Sequence, residues 1–128
     1  MNRIVLDASA MLAVLHHEPG SEKLTPKLLS NAVGSTVNVA EVYTKLVVRG
    51  GDPDEAWEDA LSAIQEPMPF TVEQARIVGG LVAKTRALGL SLGDRACLAL
   101  GIALQAAVYT ADRSWKNLNL GVRIHVIR

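Results

Sequence analysis

Apolar residues recur along this chain in two rhythms, short unbroken runs and helical stripes, and their order predicts the architecture. Ile4-Val5-Leu6 is a continuous apolar run, as expected of a strand covered on both faces. A helix is predicted from about Ser9 to His17, where Pro19-Gly20 stops it. Another runs from Glu22 to Asn31, with Pro26 limiting its start. Val33 to Val37 reads as a strand. Asn38 then opens a helix whose Val39, Val42, Tyr43, Leu46 and Val47 share one buried stripe. Past Gly50-Gly51, Asp52-Pro53 supplies an N-cap and a first-turn proline for a helix with Trp57, Ala60, Leu61 and Ile64 on its inner face.

Pro67-Met68-Pro69-Phe70 has room for a short strand only, and its prolines place it at a sheet edge. Thr71 and Gln74 form a capping box for a helix from Val72 to Leu88. Gly79-Gly80 within it lowers stability by about 1 kcal/mol per residue relative to alanine, a loss that close packing would explain. Ser91 begins a helix apolar nearly all round to Ala106, and therefore buried. Val108-Tyr109-Thr110 is a strand. From Val122 to Ile127, Val122, Ile124 and Val126 alternate with Arg123 and His125, the pattern of a half-exposed edge strand. Strands separated by helices predict an α/β fold. It is a three-layer α/β/α sandwich around a short parallel sheet of about five strands, the Ile4 and Val108 strands central, in one domain over residues 1–128.

Size and composition agree. A chain of 128 residues, 49% of them hydrophobic, is expected to bury a solid core, and disorder is not expected. The formal net charge is zero, so a nucleic-acid partner must be held locally and not by a broad basic surface. Cys97 is the only cysteine, which excludes an internal disulfide and fits a reducing compartment. Met1-Asn2-Arg3 leads straight into the first strand and leaves no room for a signal peptide. The longest uncharged stretch, Ala96 to Ala111, is shorter than the roughly 20 residues of a spanning helix. A cytoplasmic protein with no membrane partner is expected.

Four acids stand apart: Asp7, Glu41, Asp94 and Asp112. Each falls where a strand-like run stops or a helix begins, and none sits on an obvious solvent face. Taken singly, each has a structural role open to it. Asp7 can cap the following helix, although Ser9 can serve as that cap alone. Asn38-Val39-Ala40-Glu41 and Ser91-Leu92-Gly93-Asp94 both resemble capping boxes, and Asp112 suits a turn or cap. Together they project from one edge of the predicted sheet, where α/β folds bind ligands. Carboxylates gathered there repel one another unless a hard cation joins them, which argues for Mg2+ or Mn2+ and for chemistry on phosphates. By contrast, Asp52, Asp54, Glu55, Glu58 and Asp59 crowd the outer face of one helix as a solvated surface. His16-His17 and His125 form no zinc pattern, and no phosphate-cradling glycine loop is present.

In order, these residues resemble the PIN-domain ribonucleases, and specifically the VapC toxins of type II toxin–antitoxin pairs. The likeness runs almost end to end. It begins at Val5-Leu6-Asp7-Ala8-Ser9-Ala10 and continues through Asn38-Val39-Ala40-Glu41-Val42. It then covers Gly89 to Leu100, which includes Ser91-Leu92-Gly93-Asp94-Arg95, and closes on Tyr109-Thr110-Ala111-Asp112-Arg113-Ser114-Trp115. The last two motifs, their acids eighteen residues apart, are the specific ones.

The resemblance implies a metal-dependent endoribonuclease that cuts structured cellular RNA, of the tRNA or rRNA class, and so blocks translation. It implies a cognate antitoxin that occludes the site, and a toxin homodimer within a larger toxin–antitoxin complex. Asp7, Glu41, Asp94 and Asp112 would be the catalytic, metal-holding acids. Ser9 and Thr110 would assist at their margin, and Asn38 would orient the helix that carries Glu41. Arg95, Arg113 and Lys116, close in sequence to the third and fourth acids, are candidate RNA contacts. The main alternative is a catalytically silent PIN-like module that binds RNA or protein. A metal-dependent phosphatase fits less well, because position 9 is serine where such enzymes commonly repeat an aspartate.

Overall fold

The computed structural model describes residues 2–128, so Met1, at the head of the segment expected to carry no leader, lies outside the described residues. Five strands, β1 (Ile4–Leu6), β2 (Ala32–Ser35), β3 (Glu66–Met68), β4 (Ala107–Thr110) and β5 (Ile124–Val126), form one sheet ordered β3-β2-β1-β4-β5. Every pairing is parallel, and the register lines up Leu6 with Tyr109 and Tyr109 with His125. The helices are α1 (Ala8–His16), α2 (Pro26–Leu29), α3 (Thr36–Val48), α4 (Pro53–Leu61), α5 (Val72–Gly80), α6 (Val82–Thr85) and α7 (Leu92–Leu104). A 3₁₀ helix over Arg113–Asn117 precedes β5.

Side-chain alternation along the short strands sorts the core into two layers. Ile4 and Leu6 face α1 and α3 with Met11, Leu12, Val39 and Val42. Val5, Val33 and Val108 face the other way, onto Leu98, Leu100 and Trp115. A Cβ on Gly101 would strike Val108 Cγ2, so α7 lies directly against β4. The chain builds outward from β1 through β2 to β3, then returns to lay β4 and β5 on the other side. The order therefore reverses between β1 and β4, and the crevice beyond their carboxyl ends is where such sheets bind ligands.

Several boundaries differ from the expected ones. The second helix is a 3₁₀ turn over Ser21–Lys23 followed by α2, which starts only at Pro26. β2 gives way to α3 at Thr36, with the Ser35 hydroxyl as cap, so Asn38 lies inside the helix instead of opening it. The helix from Val72 ends at Gly80 and resumes as α6 and a 3₁₀ turn. A Cβ on Gly79 or Gly80 would meet nothing within 4 Å, so these glycines break the helix and close packing does not explain them. The Thr71 hydroxyl accepts from Gln74 N–H, but the buried Gln74 Oε1 has no partner, leaving half of the expected capping box. Trp57 is 48% exposed, stacked edge-on against Tyr43 on the outer side of the α3–α4 pair and not on the inner face. Among the described residues, no helix is long and apolar enough to cross a membrane.

Candidate active site

Asp7 leaves β1 at the switch point and is buried. Its Oδ1 accepts from the Ala10 N–H at 2.8 Å and from the Ser9 hydroxyl at 2.7 Å; its Oδ2 accepts from the Thr110 hydroxyl at 2.6 Å. Asp7 is thus itself the cap of α1, and Ser9 supports it instead of replacing it. The Ser9 oxygen also accepts from the Ala111 N–H at 2.9 Å, and the Thr110 oxygen from the Asp112 N–H at 3.0 Å. Two hydroxyls therefore stitch the ends of β1 and β4 together around one carboxylate. Among the described residues the ion pairs are Arg3–Glu66 and Glu18–Arg128, so none reaches Asp7. Burial pushes its pKa up to about 6; the Thr110, Ala10 and Ser9 hydrogen bonds oppose this, and nearby Asp94 adds to it.

Glu41 is held from α3. The buried Asn38 Nδ2 donates to Glu41 Oε1 at 3.2 Å and to the Gly93 carbonyl at 3.0 Å, fastening α3 to the start of α7. A Cβ on Gly93 would collide with the Glu41 carboxylate, so position 93 is kept bare by the acid beside it. Gly93→Ala is expected to fold, because the far end of a flexible side chain can swing away. It should lose most RNA cleavage because Glu41 is displaced, a split seen by comparing a melting curve with an activity assay. The sequence signal for this role, the glycine of Ser91-Leu92-Gly93-Asp94, is visible only once Glu41 is known to lie against it.

Asp94 sits in a full capping box: the Ser91 oxygen accepts from Asp94 N–H at 3.1 Å, and Asp94 Oδ2 accepts from Ser91 N–H at 3.0 Å. Ser91→Ala is expected to lower stability by about 0.5–2 kcal/mol in denaturant unfolding while measurable cleavage persists. A stable but inactive protein would make the hydroxyl part of the chemistry instead. One turn further into α7, Cys97 is fully buried. Burial first, then Asp7, Asp94 and Glu41, hold its thiol well above the ordinary range, so it stays neutral and packs as an apolar residue. The charges of three of the four acids are thus felt at one thiol.

Asp112 is the exception. It is exposed, contrary to expectation, and its Oδ1 accepts from the Ser114 N–H and hydroxyl at 2.9 and 2.8 Å, capping the 3₁₀ helix. Its link to Asp7 runs through Thr110. Arg95 is half-buried and donates to the Val78 carbonyl at 3.2 Å, which ties α7 to α5. Arg113 and Lys116 are exposed and line a groove of about 510 Å³.

The donor set is carboxylate and hydroxyl oxygen, with the one nearby sulfur kept protonated, and that chemistry fits a hard divalent cation better than zinc. Asp94 and Asp112 are turned into their own caps, and among the described residues no group of three or more His, Cys, Asp or Glu side chains is already arranged to hold a metal ion.

A family model described as the PIN domain matches residues 4–120. Comparison with curated protein sequences gives no match. Solved structures with the same fold include DNA-bound VapBC from Salmonella typhimurium, at 16% identity and a TM-score of 0.77 over 100% of both chains. VapC20 from Mycobacterium tuberculosis, described as a Sarcin-Ricin loop cleaving toxin, is 17% identical with a TM-score of 0.69 over 94% of this chain and 98% of that one. VapBC-5 from the same organism, a member of a toxin–antitoxin family, is 21% identical with a TM-score of 0.62 over 100% of this chain and 99% of that one.

Proposed function

The chain belongs to the PIN-domain family, and from that premise we propose that it is a Mg2+- or Mn2+-dependent endoribonuclease, the toxin of a toxin–antitoxin pair. The observation that carries this reading is Asp7: a buried carboxylate at the switch point, with Asp94 close enough to raise its pKa and no cationic side chain paired to it. A stability-only role leaves that burial unexplained, since capping α1 needs no desolvated charge. Asp7, Glu41 and Asp94 would hold the cation, with Asp112 completing the set. When bound, a divalent cation lowers the pKa of a water and offsets charge on the scissile phosphate. The chain's own groups do the positioning. Ser9, Thr110 and the Ala10 N–H lock Asp7 in one rotamer, and Asn38 aims Glu41 from α3 toward α7.

The substrate is structured RNA of the tRNA or rRNA class; the likeness to VapC20, a Sarcin-Ricin loop cleaving toxin, supports a folded RNA target. The partner is a cognate antitoxin, and the toxin acts as a homodimer in a larger complex. An arginine of the antitoxin entering the site would pair its planar fork with two carboxylate oxygens, which favours arginine over lysine. The rival reading is a silent module, favoured by the turning of Asp94 and Asp112 into their caps. Purified protein with structured RNA separates the two. Cleavage is expected to stop in EDTA and return with Mg2+ or Mn2+, and the antitoxin should suppress it. Absence of metal-dependent cutting across diverse structured RNAs leaves the binding module in front.

A further inference from the structure

Beyond the carboxylates, two segments of this neutral chain each carry formal charge of one sign, and they lie at opposite edges of the sheet. Residues 50–75 hold seven acids and no lysine or arginine, and they include β3, one edge strand. After Asp112 no acid follows; Arg113, Lys116, Arg123 and Arg128 lie on the segment that contains β5, the other edge. Two grooves run there. One, of about 510 Å³, is lined by Arg113, Lys116, Arg128 and His125. The other, of about 550 Å³, is lined by Arg3, Tyr109, Arg123 and His125. His125 is common to both, no acid lines either, and the first begins one residue past Asp112.

Where the two meet, the exposed His125 ring stacks on half-buried Tyr109, centroids 4.6 Å apart and planes 19° from parallel. Tyr109 directly precedes the threonine that holds Asp7. Arg128 is partly committed to Glu18, but Arg113, Lys116 and Arg123 have no acid partner among the described residues. An apolar cover would strand those charges away from water, so the complementary occupant brings negative charge together with a flat ring. Single-stranded nucleic acid brings both.

We propose that the β5 edge is the track for a single-stranded stretch of RNA adjoining the cut, with phosphates on Arg113, Lys116 and Arg123 and a base on the His125–Tyr109 stack. This rests on the ribonuclease reading above. The test is binding of a short single-stranded RNA to the whole protein in EDTA, with affinity followed against salt. Arg123→Ser with His125→Ser is expected to weaken binding about tenfold and to lower the melting temperature by no more than a few degrees, since both residues are exposed and only the ring stack on Tyr109 is lost. Loss of Arg123 alone should reduce the log–log salt slope by about 0.7. His125→Phe should keep the stack and restore the contribution lost in His125→Ser. Asp94→Asn should bind like wild type and not cut, so binding and cleavage are read separately. If the Arg123/His125 variant binds RNA with the wild-type affinity and salt slope while wild type still cuts, the track lies elsewhere and the ribonuclease reading stands. If wild type neither binds nor cuts RNA, both fall.

Discussion

Asp94→Asn and Glu41→Gln proteins fold normally and lose RNA cleavage by at least about a hundredfold, since even groups that only support metal-holding side chains commonly contribute ten- to a hundredfold. Each change keeps the acceptor that the local structure uses. Asparagine at 94 still accepts from Ser91 N–H, and glutamine at 41 still accepts from Asn38 Nδ2. What disappears is a negative charge: that of Asp94, felt at Asp7 and Cys97, or that of Glu41, felt at Cys97. Melting curves within a few degrees of wild type, alongside a lost cleavage ladder, would separate chemistry from folding. Variants that cut RNA like wild type would remove the acids from the site.

The second large effect is on stability. The Asp7 carboxyl in the folded chain titrates near 6 against an ordinary value of 3.8, so between those values the folded state holds a proton that the unfolded state has released. The Asp7 contribution to the stability of metal-free protein is therefore fully present below about pH 4, is lost as pH rises to about 6 and levels off above that, a change of roughly 3 kcal/mol. On a chain of this size that is a fall in Tm on the order of 10 °C. Asp7→Asn removes the charge but not the oxygen that accepts from Ala10 N–H, so the slope should flatten and the variant should melt higher than wild type at neutral pH in chelator. Mn2+ should raise the wild-type Tm above pH 6 and leave Asp7→Asn unmoved. A pH-independent Tm for wild type in chelator would mean that the Asp7 charge is solvated in the folded state.

The sheet was legible because its short central strands are buried and its edge strands are not. Ile4-Val5-Leu6 and Val108-Tyr109-Thr110 are continuous apolar or β-branched runs, and the alternation around His125 marks an edge. Helix starts were less legible where β-branched residues suit both states. Thr36-Val37 reads as strand until Ser35 is seen to cap α3. Trp57 shows the limit of periodicity, since a stripe says which residues share a face but not whether a neighbouring element covers that end. Glu41 was legible as an acid three residues after Asn38, but not in its setting: it lies well inside α3, and what aims it is a long-range bond from Asn38 to Gly93 that local spacing cannot reveal. Asp7 was legible in both its roles, cap and strand-tip acid, but its burial was not, because that depends on Thr110 arriving from more than a hundred residues away.

If these carboxylates form a cation-dependent RNA-cutting centre, titrating Mn2+ into chelated wild-type and Asp94→Asn proteins with the same structured RNA present separates the two. Wild-type cleavage should rise from none to a plateau as Mn2+ is added, while Asp94→Asn stays flat. Matching curves, or wild-type cutting at full rate before any Mn2+ is added, would contradict it.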